Sequence, residues 1–462
     1  MSELISLIKA NKNLRYVDAA TGNAFRFDEI ISSVEVLSNT PKKLAFLYLD
    51  NSIHSVAAFW NVYSSQHALV LLSVNLRPEF KQKLEALYQP DFIYDRKRNS
   101  VQGYSLKQPH SFLEIFVSEN QVERKIAPEL KLLLSTSGTT GSPKLVRLSE
   151  KNLVSNAQSI LDYLPVQSTD ATPLNLPIHY SYGLSVLITN SIAGGKIICT
   201  TNDILQKDFW SDFEKHQCTS LAGVPYVYET LYRTGFTKKQ FSSLKYLTAA
   251  GGKLGELFTD IFSEYAQKNN ISLFLMYGQT EATARMSFLD PHHLADKKMS
   301  IGKPIKGGRF EIDPESKELL YFGENVFGGY VNSAGDLETF QQQQPLRTGD
   351  LATVDEDGYY FITGRLKRIV KLFGNRINLD EIERSLSNQF NSSTFICTGI
   401  DDKTLLVGVK NNVQEEIEIM RFLSSQFSIH PSVILIKHID KIPLTENKKV
   451  NYSEFIEQHK NG

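Results

Sequence analysis

Leu132-Leu133-Leu134-Ser135-Thr136-Ser137-Gly138-Thr139-Thr140-Gly141-Ser142-Pro143-Lys144-Leu145-Val146 is the stretch from which the rest of the chain becomes readable. An apolar run of the kind that forms a buried strand enters a segment of small and hydroxyl-bearing residues, followed by a proline and a lysine. Glycines let backbone N–H groups close around an anion, hydroxyls add hydrogen bonds, and Lys144 brings a mobile positive charge. This is phosphate-binding chemistry. The spacing matches neither G-x-x-x-x-G-K-[ST] nor G-x-G-x-x-G, so neither of the folds those patterns mark follows from it. A flexible linker would share the composition, but not the strand entry or the lysine.

Around this loop two textures alternate. Leu44–Leu49, Ala68–Val74, Lys131–Ser135, Lys196–Thr200, Ser220–Val224, Leu244–Ala249 and Ser272–Met276 are short runs rich in aliphatic and aromatic residues, as buried strands are. Between several of them apolar residues fall at helical spacing. Over 149–164, Leu153, Ala157, Ile160, Leu161 and Leu164 share one face, with Ser149 placed to cap the start and Pro165 to end the helix. Such alternation predicts α/β layering with largely parallel sheets. Past about residue 300 the texture changes to short strands and turns at Gly307-Gly308, Gly328-Gly329 and Asp357-Gly358, and Gln341–Gln344 before Pro345 reads as an exposed loop. From Leu379 the order is helix, strands at Thr394–Thr398 and Leu405–Val409, helix at Glu415–Phe427 and strand at Val433–Ile436, a self-contained α+β unit.

At 462 residues the chain exceeds one domain of ~100–200 residues. Its 50 basic and 51 acidic residues leave a net charge of −1, which gives no support for coating nucleic acid or an anionic membrane. With 41% hydrophobic and 22% charged residues it is not a mostly disordered chain. Cys199, Cys218 and Cys397 show no CxxC spacing, so neither a structural zinc site nor a disulfide framework is expected. Met1–Lys9 lacks the order of a signal peptide, and the most apolar runs fall far short of the ~20 residues that span a bilayer. A soluble cytoplasmic protein is the expectation. Charge is nevertheless uneven: Arg365, Lys367, Arg368, Lys371 and Arg376 follow one another with no acidic residue between them.

Further segments give the loop its context. Ala249-Ala250-Gly251-Gly252, Tyr277-Gly278-Gln279-Thr280-Glu281, Thr348-Gly349-Asp350-Leu351, Gly364-Arg365-Leu366-Lys367 and Pro443-Leu444-Thr445-Glu446-Asn447-Lys448-Lys449 follow it in that order. With Ser135–Lys144 they resemble the motifs of the AMP-forming adenylating enzymes, which comprise acyl-CoA synthetases, peptide-synthetase adenylation domains and luciferases. The chain looks most like an acyl-CoA synthetase. The resemblance covers roughly two-thirds of the chain, from residue 135 to about residue 452, and residues 1–130 fit only loosely. It implies a large N-terminal domain, residues 1–364, of layered α/β subdomains with a distorted β-barrel-like part. A hinge at 365–367, centred on Lys367, and a small mobile α+β domain at 368–462 complete the expected fold.

The resemblance also implies a two-step reaction. A carboxylate attacks the α-phosphate of ATP, releasing pyrophosphate and leaving an acyl-adenylate. A thiol, that of coenzyme A or of a carrier protein's phosphopantetheine, then displaces AMP. Phosphoryl transfer requires positioning and charge neutralisation more than covalent help. On this reading Thr136, Ser137, Gly138, Thr139, Thr140, Gly141 and Lys144 fold over the β- and γ-phosphates. Glu281, with Thr140, is the Mg²⁺ ligand, a hard cation satisfied by one or two carboxylates plus phosphate oxygens. Thr280 donates to the α-phosphate. Ala250 and Gly251 lie on the adenine side, Tyr277, next to Gly278, stacks on the base, and Asp350 accepts from the ribose hydroxyls with Arg365 close by. Lys449 bridges the attacking carboxylate and the α-phosphate, where charge appears mainly in the transition state. Lys448 departs from the family's glycine and Tyr452 from its usual arginine; the register from Pro443 and Thr445 selects Lys449.

Leu176–Val186 lies where the family lines its acid pocket. Amino-acid-activating members usually place an aspartate there, and alignment puts Gly183 at that position. A buried ammonium without a counter-charge is costly, so an aliphatic or aromatic carboxylic acid is expected. His179 and Tyr180 are both candidates for the aromatic gate. Loading of an acyl carrier protein is the alternative reaction. A non-catalytic nucleotide-binding descendant is the contrasting class, against which the intact Glu281, Asp350, Arg365 and Lys449 argue.

Overall fold

The computed structural model of the chain describes residues 2–459 apart from 32–36, 38–40, 121, 136–143, 373–374, 391–393, 401–402, 411–415, 428 and 446–449; at 371–372 and 375–376 it describes the backbone only. The described residues form two compact units. The first runs from the N-terminus to Arg309, leaving the undescribed loop aside, and includes Tyr321–Leu346; the second comprises Phe310–Leu320 and the chain from Arg347 onward.

In the first unit the strand Leu44–Leu49 is buried along its whole length and pairs in parallel with Ala68–Ser73 on one side and Phe92–Tyr94 on the other. Leu130–Ser135 extends the sheet in parallel beyond Ala68–Ser73. Strands covered on both faces have no polar side to alternate with, which is why these stretches read as unbroken apolar runs. Antiparallel strands complete eight: Leu145–Ser149 and Tyr330–Val331 at one edge, Leu113–Ser118 and Tyr104–His110 at the other.

A second sheet joins Ser220–Gly223, Tyr246–Ala249 and Ser272–Tyr277 in parallel, then Ser287–Leu289 and Lys303–Pro304 antiparallel. A third sets Lys196–Cys199 between Arg15–Asp18 and Ala171–Pro173, both pairings parallel. Every strand anticipated in this unit forms, within two residues at either end. The helix Glu150–Tyr163 starts at Ser149, whose hydroxyl accepts from Asn152 N–H while Asn152 Oδ1 accepts from Ser149 N–H. That reciprocal box satisfies two N–H groups that a helix start otherwise leaves without partners.

The second unit holds most of an open sheet, whose strand ends at Arg309, Tyr321-Phe322 and Leu346 belong to the first unit, in the order Arg309–Ile312, Glu318–Phe322, Leu346–Val354, Tyr360–Arg365. After it comes the hairpin Ile369–Leu372 with Asn375–Asn378. Its last sheet, Thr394–Ile400, Thr404–Lys410 and Ile434–His438, buries Cys397, Val407 and Val409 against Ile382, Leu386, Ile419 and Leu423 from the helices Leu379–Gln389 and Glu416–Phe427. The barrel-like part needs correction: no sheet of described residues closes on itself. A barrel requires its first and last strands to pair, and here they remain separate edges. No helix among the described residues is long and apolar enough to cross a membrane. All three cysteines are buried and free.

Candidate active site

Parallel strands of an open α/β sheet present their carboxyl ends to ligands, because loops there can open a crevice without breaking the ladder. In the second sheet those ends are Gly223, Ala249 and Tyr277, so the sequences that follow, including Ala250-Gly251 and Gly278–Glu281, share one edge. Gly251 has φ of +81°, and a β-carbon there would lie 2.7 Å from Tyr180 Oη. Gly278 is required by backbone approach as well: its β-carbon would lie 1.9 Å from Ala284 O. Tyr277 ends its strand half-buried, with its carbonyl accepting from Met286 N–H.

Thr280–Ala282 make a single 3-10 turn. The Thr280 hydroxyl is 3.3 Å from that of Ser181, the first residue of the helix Ser181–Ala193, which brings the Tyr-Gly-Gln-Thr-Glu segment to the predicted acid-pocket segment. Glu281 Oε1 accepts from the Tyr330 hydroxyl at 2.9 Å, and the Lys144 ammonium lies 5.7 Å from the Tyr330 ring centre. Partial burial and the neighbouring Glu281 carboxylate push the Tyr330 hydroxyl above its ordinary pKa, so it stays a donor. The register explains the meeting: Ser135 pairs with Leu145, next to Lys144, and Val146 pairs with Tyr330. Thr136, Ser137, Gly138, Thr139, Thr140 and Gly141 lie outside the described residues.

Neutral side chains hold the Thr280 loop in place. Asn325, buried, donates to Ala282 O and Arg285 O and accepts from the Tyr321 hydroxyl, while Thr283 Oγ1 donates to Asn325 O. Asn156 Nδ2 also donates to Arg285 O. Among the described residues the loop thus keeps its shape through neutral hydrogen bonds.

His179 and Tyr180 are both buried. Tyr180 precedes the helix without a side-chain cap bond, and burial, offset in part by the Arg285 charge, raises its hydroxyl pKa. At Gly183 a β-carbon would meet Pro177 O at 2.2 Å and Leu176 O at 2.6 Å. The backbone there leaves no room for a side chain at 183, so no carboxylate stands at that position.

In the second unit Asp350 and Arg365 face each other in strand register, Arg365 Nε donating to Asp350 Oδ1 at 2.9 Å. Asp350 is buried and the arginine side chain exposed. Lys367 is exposed in the turn Leu366–Arg368. Next to it Arg368 is buried in ion pairs of 2.7 Å with Asp380 and Glu383, its guanidinium 3.9 Å from the Tyr452 ring. Tyr452 donates to Glu383 Oε2, so the residue that departs from the family's arginine serves this cluster. Lys449 lies outside the described residues; Leu444 and Val450 pair on either side of it.

Sequence reasoning missed Tyr330, Asn325, Asn156 and Arg285. Arg285 alone had a local signal, four residues after Glu281; the others come from distant elements.

A family model described as AMP-binding enzyme matches residues 40–335. The 2-succinylbenzoate–CoA ligase of Staphylococcus epidermidis is 23% identical over 93% of this chain and 92% of its own. An o-succinylbenzoate CoA synthetase from Bacillus subtilis, solved with its acyl-adenylate intermediate, aligns with a TM-score of 0.75 at 18% identity over 98% of this chain and 97% of its own. That enzyme bound to ATP and magnesium aligns with a TM-score of 0.70 at 18% identity over 97% of this chain and 93% of its own. ATP-bound MatB from Rhodopseudomonas palustris gives 0.75 at 18% identity over 100% and 99%. With the family match spanning more than half of its length, this chain belongs to the AMP-binding enzymes.

Proposed function

We propose that this protein is an AMP-forming acid–CoA ligase that adenylates a carboxylic acid and passes the acyl group to coenzyme A. The observation that carries the reading is the meeting of Thr280, Glu281, Tyr330 and Lys144 at the carboxyl edge of the second sheet. It supplies a hydroxyl donor, a carboxylate and a cation where a triphosphate needs all three. Mg²⁺ fits this donor set, since it is held by one or two carboxylates plus substrate phosphates and not by a protein cage. Glu281 is the residue here that would hold it, and the ion would neutralise phosphate charge.

Thr280 orients the α-phosphate, Lys144 and the glycine-rich loop attend the outer phosphates, and Asp350 with Arg365 serves the ribose. Lys449 stabilises charge in adenylation, and residues 368–462 pivot at Lys367 to withdraw it before thioester formation. Support for coenzyme A as acceptor comes from the CoA ligases among the relatives. An acyl carrier protein is the other thiol this chemistry accepts.

Acid-dependent pyrophosphate release from Mg·ATP, followed by trapping with coenzyme A or carrier protein, tests the reading. Lys449→Ala should lower acyl-adenylate formation by ~10²–10³-fold while still converting supplied acyl-adenylate to thioester. Equal loss of both steps would refute the pivot.

A further inference from the structure

Three arginines among the described residues are buried: Arg147, Arg285 and Arg368. Arg368 is held by two carboxylates, and Arg147 donates to the carbonyls of Gly329, Asp336 and Thr339. Arg285, only 3% exposed, has only neutral contacts among the described residues. Its Nε donates to Met276 Sδ at 3.3 Å, its guanidinium lies 3.9 Å from the Tyr182 ring centre, and the Tyr163 hydroxyl is beside it. A thioether is a weak acceptor, and a guanidinium has five N–H groups to satisfy. No carboxylate of the described residues forms an ion pair with it. An uncompensated buried charge costs several kcal/mol.

The position says what the missing counter-charge is. Arg285 ends the loop that carries Thr280, and it sits against Tyr182 and near Tyr180, which flank Ser181. The Ser181 hydroxyl is 3.3 Å from that of Thr280. One three-residue segment therefore has the proposed adenylation point at its middle and an unneutralised guanidinium beside its aromatic rings. We infer that Arg285 receives a second anionic group on the acid, so that the substrate is a carboxylic acid bearing a further carboxylate or sulfonate. The inference rests on the ligase reading for the role of Thr280. A planar guanidinium suits either group, since both accept two parallel N–H bonds.

The test compares linear dicarboxylic acids of increasing length with their monomethyl esters, which keep the shape and lose one charge, and with ω-sulfonated acids. In pyrophosphate release the best diacid or sulfonated acid should exceed its uncharged-end counterpart in kcat/KM by about 100-fold, the usual scale for a buried charge-assisted contact. The stronger arm identifies the group. Arg285→Met should bring that ratio close to one, and Arg285→Lys should keep part of it. Wild-type preference for the monoesters, or a ratio unmoved in Arg285→Met, overturns the inference. If the variants fail to fold, the wild-type ratio decides alone. Calorimetric titration with AMP present separates the two readings. Tighter binding of the diacid without pyrophosphate release would support the anion site while sinking the ligase reading; equal binding of diacid and monoester overturns the anion site.

Discussion

Gly278→Ala tests whether the Thr280 loop is held where the chemistry needs it. A β-carbon at 278 would lie 1.9 Å from Ala284 O, 2.7 Å from Ala284 C and 2.9 Å from Arg285 Cα. All three are backbone atoms, so no rotamer change relieves the contact, and the 277–285 loop must open by about 1 Å to restore an ordinary distance near 3 Å. Overpacking of this kind costs about 1–3 kcal/mol. The larger effect falls on rate, because Thr280 and Glu281 ride on the displaced segment and a misplacement of about 1 Å costs on the order of 10²-fold. The assay is pyrophosphate release at saturating ATP and acid, with thermal melting in parallel. Gly335→Ala is the control, since its β-carbon would meet nothing nearer than Ser333 Oγ at 3.8 Å. A Gly278→Ala enzyme with the wild-type rate and melting temperature would show that the loop tolerates the opening, and the positional argument would fail.

Tyr330→Phe removes the hydroxyl that orients Glu281 while leaving the strand pairing intact. The Mg²⁺ concentration for half-maximal pyrophosphate release should rise about fivefold, as ~1 kcal/mol for such a bond requires, and an unchanged Mg²⁺ titration would count against the role. Arg368→Ala leaves Asp380 and Glu383 without their cation and should destabilise the second unit by about 3–5 kcal/mol, read as earlier melting; an unshifted melt would contradict the pairing. His67, fully buried near Lys131, Lys43 and Lys42, has its pKa lowered from 6.5 to about 4, with burial the main cause. Below pH 6.5 the unfolded chain takes up a proton that the folded chain refuses until about pH 4. Stability therefore falls by about 3 kcal/mol as pH drops through that window, and His67→Gln should flatten the slope in denaturant melts.

Much of the site was legible because its residues are close in sequence. Tyr277 to Glu281 follow a strand whose apolar run is unmistakable, and the carboxyl-edge rule then places them. Ser149 was legible as a cap because capping is local. Tyr330 was not: it belongs to a two-residue strand, 49 positions from Glu281, and meets it only through register with Val146. The steric demand at Gly183 was not legible for the same reason, since it comes from the backbone of Leu176 and Pro177 folding back over the helix start.

The order of motifs in the sequence determined the family, because a loop rich in glycine and hydroxyl residues, a carboxylate after a strand and a lysine near the end are local patterns that survive without coordinates. Tertiary structure decided which side chains those patterns act with. Only the folded chain shows that Glu281 is oriented by Tyr330, that Asn325 and Asn156 hold its loop, and that Arg285 is buried among neutral groups. The physical reason is that a charge announces itself in sequence, whereas its compensation is a matter of distance, and distance between remote residues is set by sheet register and packing.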